Sequence, residues 1–385
     1  MLIALIKKFG AEASAIYPST VPIAMMSATD IWSTYIRYIG AVGVAVGGLI
    51  TLFRIAPVIR KTIVETFREV IHLFKPGKKR VERTDRDIPL PYLLLGSTAI
   101  ILGLWAMPGF HLNIVTILLL IVLGFFFVAV TSITVGLVGR SSNSTSGMTI
   151  TTLLITCLIF AGLGWSDQIH LIAAIVMAAV VNTAIALAGT TSQDLKTGFL
   201  LGATPRSQQI AEVIGLILPA AAIGFTIYLL SDAYGFGSTK LPAPQATLMA
   251  MIAKGIIQGE LPALLVIIGA IFGVLVYLMR VPVLPFVVGL YLPISLNTTI
   301  MIGGLVHFVV KRWTSIEKNI ERGIIISSGL VAGDACMGVF IALLTVLKVI
   351  PATKAGLLGN GFSFAFFVLL SIWLGWASRQ GSVKK

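Results

Sequence analysis

Charged side chains are scarce in this sequence. Asp, Glu, Lys and Arg account for 11% of its 385 residues, whereas hydrophobic residues account for 57%. A typical soluble domain carries about 25% charged residues, because its surface must face water. The composition is equally unlike that of a disordered polypeptide, which is poor in hydrophobic residues. It therefore predicts an integral membrane protein with most of its surface covered by lipid.

Residues and motifs for catalysis or metal binding are also lacking. The two cysteines, Cys157 and Cys336, each lie in an apolar run, and no CxxC pair suggests a redox centre or a thiolate metal site. HExxH, P-loop and GxSxG motifs are absent, so nothing supports a membrane protease, ATPase or esterase. We expect no enzymatic activity, no bound metal and no cofactor.

Acidic residues are few, and the net charge is +13, from 28 Lys and Arg against 15 Asp and Glu. In a soluble protein such an excess would favour nucleic-acid binding. Here ten of the basic residues fall between Arg54 and Arg86, in one stretch between apolar runs. That distribution matches the enrichment of Lys and Arg in cytoplasmic loops of membrane proteins. We therefore expect a lipid bilayer, and no nucleic acid, as partner.

Apolar runs long enough to cross a bilayer recur along the chain. A spanning helix needs about 20 mostly apolar residues. The runs predict an all-α polytopic membrane protein with about ten hydrophobic segments, some of them re-entrant or broken. In order they are Tyr38–Phe53, Ile88–Met107, Leu112–Gly139, Gly147–Trp165, Leu171–Gly189, Val213–Ser231, Leu261–Met279, Val281–Val310, Gly323–Leu347 and Ala355–Ser378.

The predicted organisation has two parts. Residues 1–36 are expected to be an extracytoplasmic or interfacial segment, and residues 37–385 a transmembrane domain. Within that domain, residues 54–87 are predicted to be cytoplasmic. They begin with an amphipathic helix, in which Ile59, Ile63 and Phe67 recur at helical spacing, and continue as a basic loop.

The run Val281–Val310 carries Pro282, Pro285 and Pro293, with Asn297, Thr298 and Thr299 near its centre. Proline ends helices, and polar residues at membrane depth are typical of two half-helices that meet at a break. A re-entrant hairpin would also keep the basic residues between Lys311 and Arg322 in the cytoplasm. A simple membrane span is the alternative.

A polar segment, GLVGRSSNSTSGMT, lies between two strongly apolar runs at Gly136–Thr149. Lipid satisfies neither such side chains nor the backbone of an irregular loop, so they must face protein or water. An ordinary cytoplasmic turn beginning at Arg140 is the alternative. The residues that could line a water-filled pathway are Asn143, Ser144, Thr145, Ser146, Gly147, Met148 and Thr149.

Three carboxylates are candidates for binding protons. Asp334 lies eleven residues into Gly323–Leu347, near the bilayer centre, where a charge is costly and functional roles are common. A structural, hydrogen-bonded Asp334 is the alternative. Asp194 lies among small and amide residues in Thr190–Gln209, and Glu212 near the start of a run. Thr190–Gln209 is equally consistent with a cytoplasmic loop that carries a solvated charge pair.

Several of these stretches resemble the oligopeptide transporter superfamily, which includes the yellow-stripe-like metal-chelate transporters, and most closely its prokaryotic branch. The segment SSNSTSGMTITTLLIT carries Ser144 where family members commonly have proline, in NPVSGMT. The segment around Asp334 keeps an acid where relatives often have Glu. The matching stretches are Asp30–Ile50, Ser141–Thr156, Gln193–Gly215, Gly289–Val306 and Ser327–Val339.

The resemblance implies a secondary transporter, by proton symport, of small peptides, peptide-like compounds or metal chelates. It implies a substrate pathway that includes Tyr291, Asn297 and Thr298 besides the polar segment, with protons carried by Asp334, Asp194 or Glu212. The expected location is a prokaryotic inner membrane. Because family members have further N-terminal helices, we expect a truncated product, one half of a split transporter or a sequence with a mis-called start. A half would need a separate chain or a second copy. A channel or a non-transporting scaffold is the alternative.

Overall fold

The computed structural model describes residues 2–10, 16–51, 53, 57, 82–138, 145–238, 241–259, 262–313, 317–350 and 360–379. These ranges are helical and contain no strand, which confirms the predicted fold class. The helices are α1 Leu2–Phe9, α2 Ala28–Thr51, α3 Leu90–Ala106, α4 Ile114–Val138, α5 Thr145–Gly162, α6 Gln168–Leu201, α7 Pro205–Tyr234, α8 Pro244–Ile257, α9 Ala263–Leu278, α10 Val283–Tyr291, α11 Ile294–Trp313, α12 Glu317–Val346 and α13 Asn360–Arg379.

Each predicted apolar segment corresponds to at least one helix. Eight helical stretches in the described ranges are long and apolar enough to cross a membrane, and α9 is a shorter apolar helix. The chain is therefore a polytopic integral membrane protein. Helix α2 runs through residue 36, where the sequence suggested a boundary. The amphipathic helix predicted between Arg54 and Phe74 falls almost entirely outside the described residues.

The predicted break in Val281–Val310 is present, but its position differs from the expectation. Helix α10 ends at Tyr291 and α11 begins at Ile294, so the break lies before the polar residues. Because proline has no N–H to donate, Pro293 fits the start of a helix and not its interior. Asn297 and Thr298 lie in the first turns of α11, where their side chains donate to the carbonyls of Leu292 (3.0 Å) and Ile294 (2.8 Å).

Two other polar stretches that could have been loops are helical over most of their described residues. Helix α6 continues to Leu201, so most of Thr190–Gln209 extends a spanning helix instead of connecting two. The turn that follows is short, because Gly202 adopts a left-handed conformation (φ 71°) and Ala203 donates its N–H to the Gly198 carbonyl (2.8 Å). The polar segment begins inside α4 and ends inside α5, and residues 139–144 lie outside the described ranges.

The chain forms two compact units. Unit 1 consists of Met1–Ile217 and Gln245–Tyr291, and unit 2 consists of Leu218–Pro244 and Leu292–Lys385. A proline lies within two residues of each of the three borders: Pro219, Pro244 and Pro293. Proline interrupts the backbone hydrogen bonds of a helix, which gives a local reason for the division to fall at these points.

Unit 1 contains a packed core. Helix α6 packs against α4 and α5, and the side chains of Phe127, Met148, Met177 and Val181 are buried between them. Elsewhere in the unit, glycines allow close approach. A Cβ at Gly40 would lie 2.8 Å from the Tyr291 backbone nitrogen. In lipid, the hydrophobic effect does not drive helices together. Small residues instead let the helix backbones approach closely and pack.

Unit 2 includes three helices of the C-terminal part. Helix α13 packs against both α11 and α12. Gly375 of α13 faces Val306 and Val310 of α11, and a Cβ there would lie 3.8 Å and 4.0 Å from their side chains. Ser378 of α13 lies beside Gly323 of α12. The last turns of α11 and α13 therefore meet the first turns of α12.

Candidate functional site

A large cavity lies within unit 1, with a volume of about 960 Å³. Its polar side chains come from the ends of five helices or the turns beside them. Most of the apolar lining comes from α2 and from residues 281–288. The polar lining residues are Thr51, Ser146, Gln245, Tyr277 and Arg280. This volume lies in the range of pockets that enclose small-molecule ligands, about 300–1,000 Å³.

The cavity wall is held by close helix packing. Gly47 of α2 faces α10, where an added Cβ would lie 2.9 Å from the Leu284 side chain. The next residue, Gly48, faces α5, where the Thr151 hydroxyl donates to the Gly48 carbonyl across the interface (3.0 Å). A Cβ at either position would force the facing side chain, Leu284 or Ile150, to shift. The glycines therefore fix the shape of the cavity without contributing chemistry to it.

Arg280 gives the cavity its charge. It is the charged residue among the described residues that line the cavity, and no acidic side chain lines it there. Its backbone is left-handed (φ 59°), a conformation that costs a non-glycine residue about 1–2 kcal/mol. Such strained residues are common at functional sites. A guanidinium beside hydroxyl and amide groups favours a ligand that carries a carboxylate.

Among its described residues, the polar segment contributes Ser146 to this cavity. Ser146, in the first turn of α5, is exposed and lines it. Thr145 lines a separate pocket of about 180 Å³ beside α4 and α6. Gly147, Met148 and Thr149 are buried in helix contacts instead. Asn143 and Ser144 lie outside the described residues.

Thr149 reveals a polar contact that the sequence did not suggest. Its hydroxyl lies 2.6 Å from Asn182 Oδ1 of α6 and also donates to the Thr145 carbonyl. Asn182 is an amide side chain within the apolar run Leu171–Gly189. Its presence there was the feature of the sequence that could have indicated a polar contact. The pair joins the start of α5 to the middle of α6 and so positions the end of α5 that carries Ser146.

A second polar cluster surrounds Arg37, well inside α2. The sequence placed this residue at the edge of a spanning run, whereas the helix begins nine residues earlier, at Ala28. Its guanidinium lies 5.8 Å from the Trp32 ring and 5.5 Å from the Tyr291 ring, and it donates to the Tyr291 hydroxyl (3.3 Å). Trp32 and the four residues after it form a π-helical turn, a feature often found at functional sites.

Tyr291 therefore contacts Arg37 and does not line the cavity. Its side chain is buried, with 2% of its surface exposed. The Arg37 Nε is buried and has no hydrogen-bond partner among the described residues. The aromatic rings stabilise the cation through their π faces. This arrangement keeps a positive charge inside a membrane-spanning helix.

The candidate carboxylates have different surroundings. Glu212 is half-buried: its Oε2 accepts from the Thr191 hydroxyl (2.6 Å), and its Oε1 is buried without a partner among the described residues. Asp194 is exposed. Asp334 is exposed on α12, in unit 2. Asn297 and Thr298 also belong to unit 2, so the candidate residues are divided between the units.

The segment Gln193–Gly215 has a structural role that the sequence did not show. Arg83 donates to the Thr204 hydroxyl (2.9 Å) and the Gly202 carbonyl (2.8 Å), both in the turn after α6. The Gln209 side chain accepts from the Ile88 N–H (3.0 Å) and donates to Asp87 (3.2 Å). These bonds attach the chain before α3 to the α6–α7 turn.

The described part of the chain contains no group of three or more His, Cys, Asp or Glu residues able to hold a metal ion.

Comparison with known proteins gives a family match over most of the chain. The family model described as "OPT oligopeptide transporter protein" matches residues 1–345. A Haemophilus influenzae protein named "Putative oligopeptide transporter" is 29% identical over 375 residues, which cover 84% of this chain and 59% of that protein. No solved structure matches.

Two further relatives are eukaryotic. The "Probable metal-nicotianamine transporter YSL5" of Arabidopsis thaliana is 27% identical over 212 residues, which cover 49% of this chain and 29% of that protein. The yeast "Putative oligopeptide transporter YGL114W" is 28% identical over 193 residues, covering 46% and 27% of the two chains. The chain thus spans less than two thirds of the length of the relatives that it matches.

Proposed function

Because this chain belongs to the OPT oligopeptide transporter family, we propose that it is a secondary transporter that moves small peptides, peptide-like compounds or metal chelates across a prokaryotic inner membrane. The cavity in unit 1 carries this proposal. It is large enough for a tripeptide-sized ligand, it opens between membrane helices, and the charged residue in its described lining is cationic. Peptides and amino-acid-derived chelators share a carboxylate that Arg280 can bind.

Proton symport is the coupling mechanism that we propose. A carboxyl group in a dry site stays neutral and ionises when water reaches it, so it can carry a proton as access alternates between the two sides. Glu212 is the best supported carrier in unit 1, because one of its oxygens is buried without a partner in the described structure. Asp334, on the membrane-spanning helix α12, is the candidate in unit 2, and Asp194, near the end of α6, is the third candidate; both side chains are exposed.

Further protein is proposed to complete the transport unit. Asp334 and the glycines beside it, Gly329, Gly333 and Gly338, lie on a membrane-spanning helix, and no described atom lies within 4 Å of a Cβ built at these glycines. A carboxylate facing hydrocarbon is costly. A separate chain or a second copy that packs on α12 would shield it.

Uptake by the purified chain in proteoliposomes tests the proposal. We expect trialanine or a metal–nicotianamine chelate to accumulate against its own gradient when an inward proton gradient is imposed. Substrate entry that only equilibrates would indicate a channel. No uptake, even after co-reconstitution with membrane proteins of the native host, would indicate a scaffold.

Ser146→Leu tests the cavity. A leucine at this position would fill space that the ligand needs, so uptake should fall at least tenfold while the protein remains folded in the membrane. Ser146→Ala removes the hydroxyl but keeps the volume, and it should retain most of the uptake. Normal uptake by Ser146→Leu would show that the cavity is not part of the substrate pathway.

Glu212→Gln and Asp334→Asn test coupling. Each removes a titratable proton but keeps size and hydrogen bonding, so proton-driven accumulation should be lost while exchange of labelled for unlabelled substrate continues. Asp232→Asn, at an exposed position near the end of α7, is the matched control. If substrate accumulation still follows the proton gradient in both variants, neither residue carries the proton, and Asp194 becomes the candidate.

A further inference from the structure

An apolar groove of about 500 Å³ runs between α11 and α13 in unit 2. Its lining extends from Ile302 to Trp313 on α11 and from Phe364 to Trp376 on α13, and among these described residues Ser371 carries the hydroxyl group. At a rise of 1.5 Å per residue, the α11 part is about 18 Å long. That length is close to one leaflet of the hydrocarbon core, about 15 Å.

One end of this groove is basic. Lys311 and Arg312 are exposed in the last turn of α11, beside the lining residue Trp313. The last turns of α11 and α13 meet the start of α12, where Arg322 is also exposed. Glu321 is the exposed acidic side chain described at this end. The exposed side chains described at this end therefore carry a net positive charge, and Lys311 and Arg312 adjoin the lining residue Trp313 in the sequence.

Two tryptophans mark the same end. Trp313 and Trp376 both line the groove, with 64% and 57% of their surfaces exposed. Tryptophan is enriched at the level of lipid headgroups, because its ring is apolar and its N–H is polar. Their position indicates that the groove begins at the membrane interface and continues into the hydrocarbon region.

We propose that this groove binds an anionic phospholipid. One acyl chain lies along the apolar lining, and the phosphate of the headgroup contacts Lys311 and Arg312. Basic residues beside grooves between membrane helices bind anionic headgroups in this way, whereas a zwitterionic lipid gains little from two added cations. The inference rests on unit 2 alone and is independent of the transport proposal.

Native mass spectrometry of the full chain, purified in a neutral detergent, tests the proposal. The protein would be titrated with phosphatidylglycerol or phosphatidylcholine of identical acyl chains. We expect the first phosphatidylglycerol to bind at least tenfold more tightly. Replacing both cations, as Lys311→Gln with Arg312→Gln, should weaken phosphatidylglycerol binding about thirtyfold and leave phosphatidylcholine binding unchanged. Lys7→Gln with Lys8→Gln, an exposed pair on α1, removes the same charge as a control.

A second variant tests the groove itself. A Cβ at Gly375 makes ordinary contacts of 3.8 Å and 4.0 Å, so the long side chain of Gly375→Met can extend into the groove without displacing α11. Both lipids should then bind at least tenfold more weakly. Gly361→Met, on the same helix but with open space around it, should have no effect.

Equal affinity of the unaltered protein for the two lipids would overturn the proposal, as would a lipid preference that survives loss of both cations. A dimer that Gly375→Met dissociates would identify a second copy as the occupant instead. Should Gly375→Met fail to fold, the two-charge variant and its control decide the question.

Discussion

Some helical glycines touch a neighbouring helix and others do not, and five positions from the two units show the difference. In unit 1, a Cβ at Gly40, Gly47 or Gly269 would lie within 3 Å of a neighbouring helix. In unit 2, no described atom lies within 4 Å of the same position at Gly303 or Gly329. A small residue therefore permits close helix packing but does not by itself produce it. A neighbouring helix must also pass the glycine at the same depth.

Hydroxyl groups show the same contrast. In unit 1, Thr151 and Thr191 form hydrogen bonds to another helix, at 3.0 Å and 2.6 Å. In unit 2, Ser328 and Thr345 donate to carbonyls of their own helix, four residues earlier. Thr151 and Thr191 thus join helices of unit 1, whereas Ser328 and Thr345 bond only within α12 in these contacts. Three substitutions would break or sharpen this comparison.

The largest effect is expected for Gly40→Leu. The new side chain would collide with the backbone of Tyr291, which cannot move without displacing α10, so we expect a loss of about 3 kcal/mol in the free energy of unfolding. Gly329→Leu in unit 2 should change it by less than about 0.5 kcal/mol. Unfolding of each purified variant by SDS titration, followed by circular dichroism, measures both. Equal losses would show that the two glycines have similar surroundings.

An intermediate effect is expected for Tyr291→Phe. The change removes the hydroxyl that accepts from Arg37 Nη2 in a part-buried bond, beside an Nε that already has no partner among the described residues, at a cost of about 1.5 kcal/mol. Tyr228, with 70% of its surface exposed in unit 2, gives the matched Tyr228→Phe control with no expected change. The same titration applies. Unchanged stability of Tyr291→Phe would mean that the rings alone hold Arg37.

The smallest effect is expected for Thr151→Val. Valine keeps the shape but removes the bond to the Gly48 carbonyl, and bonds between membrane helices contribute about 0.6 kcal/mol each. Thr345→Val removes a bond within one helix only and should cost less. Because the difference is small, thermal unfolding of both variants should be compared in parallel. A greater loss for Thr345→Val would contradict the contrast between the units.

Much of the fold could be predicted from composition and spacing. The apolar segments correspond to helices, and Pro293 marks a true break in Val281–Val310. The candidate site was less predictable. Ser146 does line the large cavity, but Thr51 and Arg280, which share it, lie far apart in the sequence and resemble ordinary residues at segment ends. Arg37 looked like a boundary residue because the helix turns before it are only moderately apolar.

The sequence by itself determined where the long apolar helices lie, because a run of about 20 apolar residues must satisfy its backbone within itself once lipid surrounds it. Only the tertiary structure decided which side chains meet. Helices such as Ile114–Val138 are apolar on every side, so no polar face indicates how each is rotated or which neighbour it packs against. The Arg37–Tyr291 contact, the pairing of Thr149 with Asn182 and the cavity all depend on that rotation.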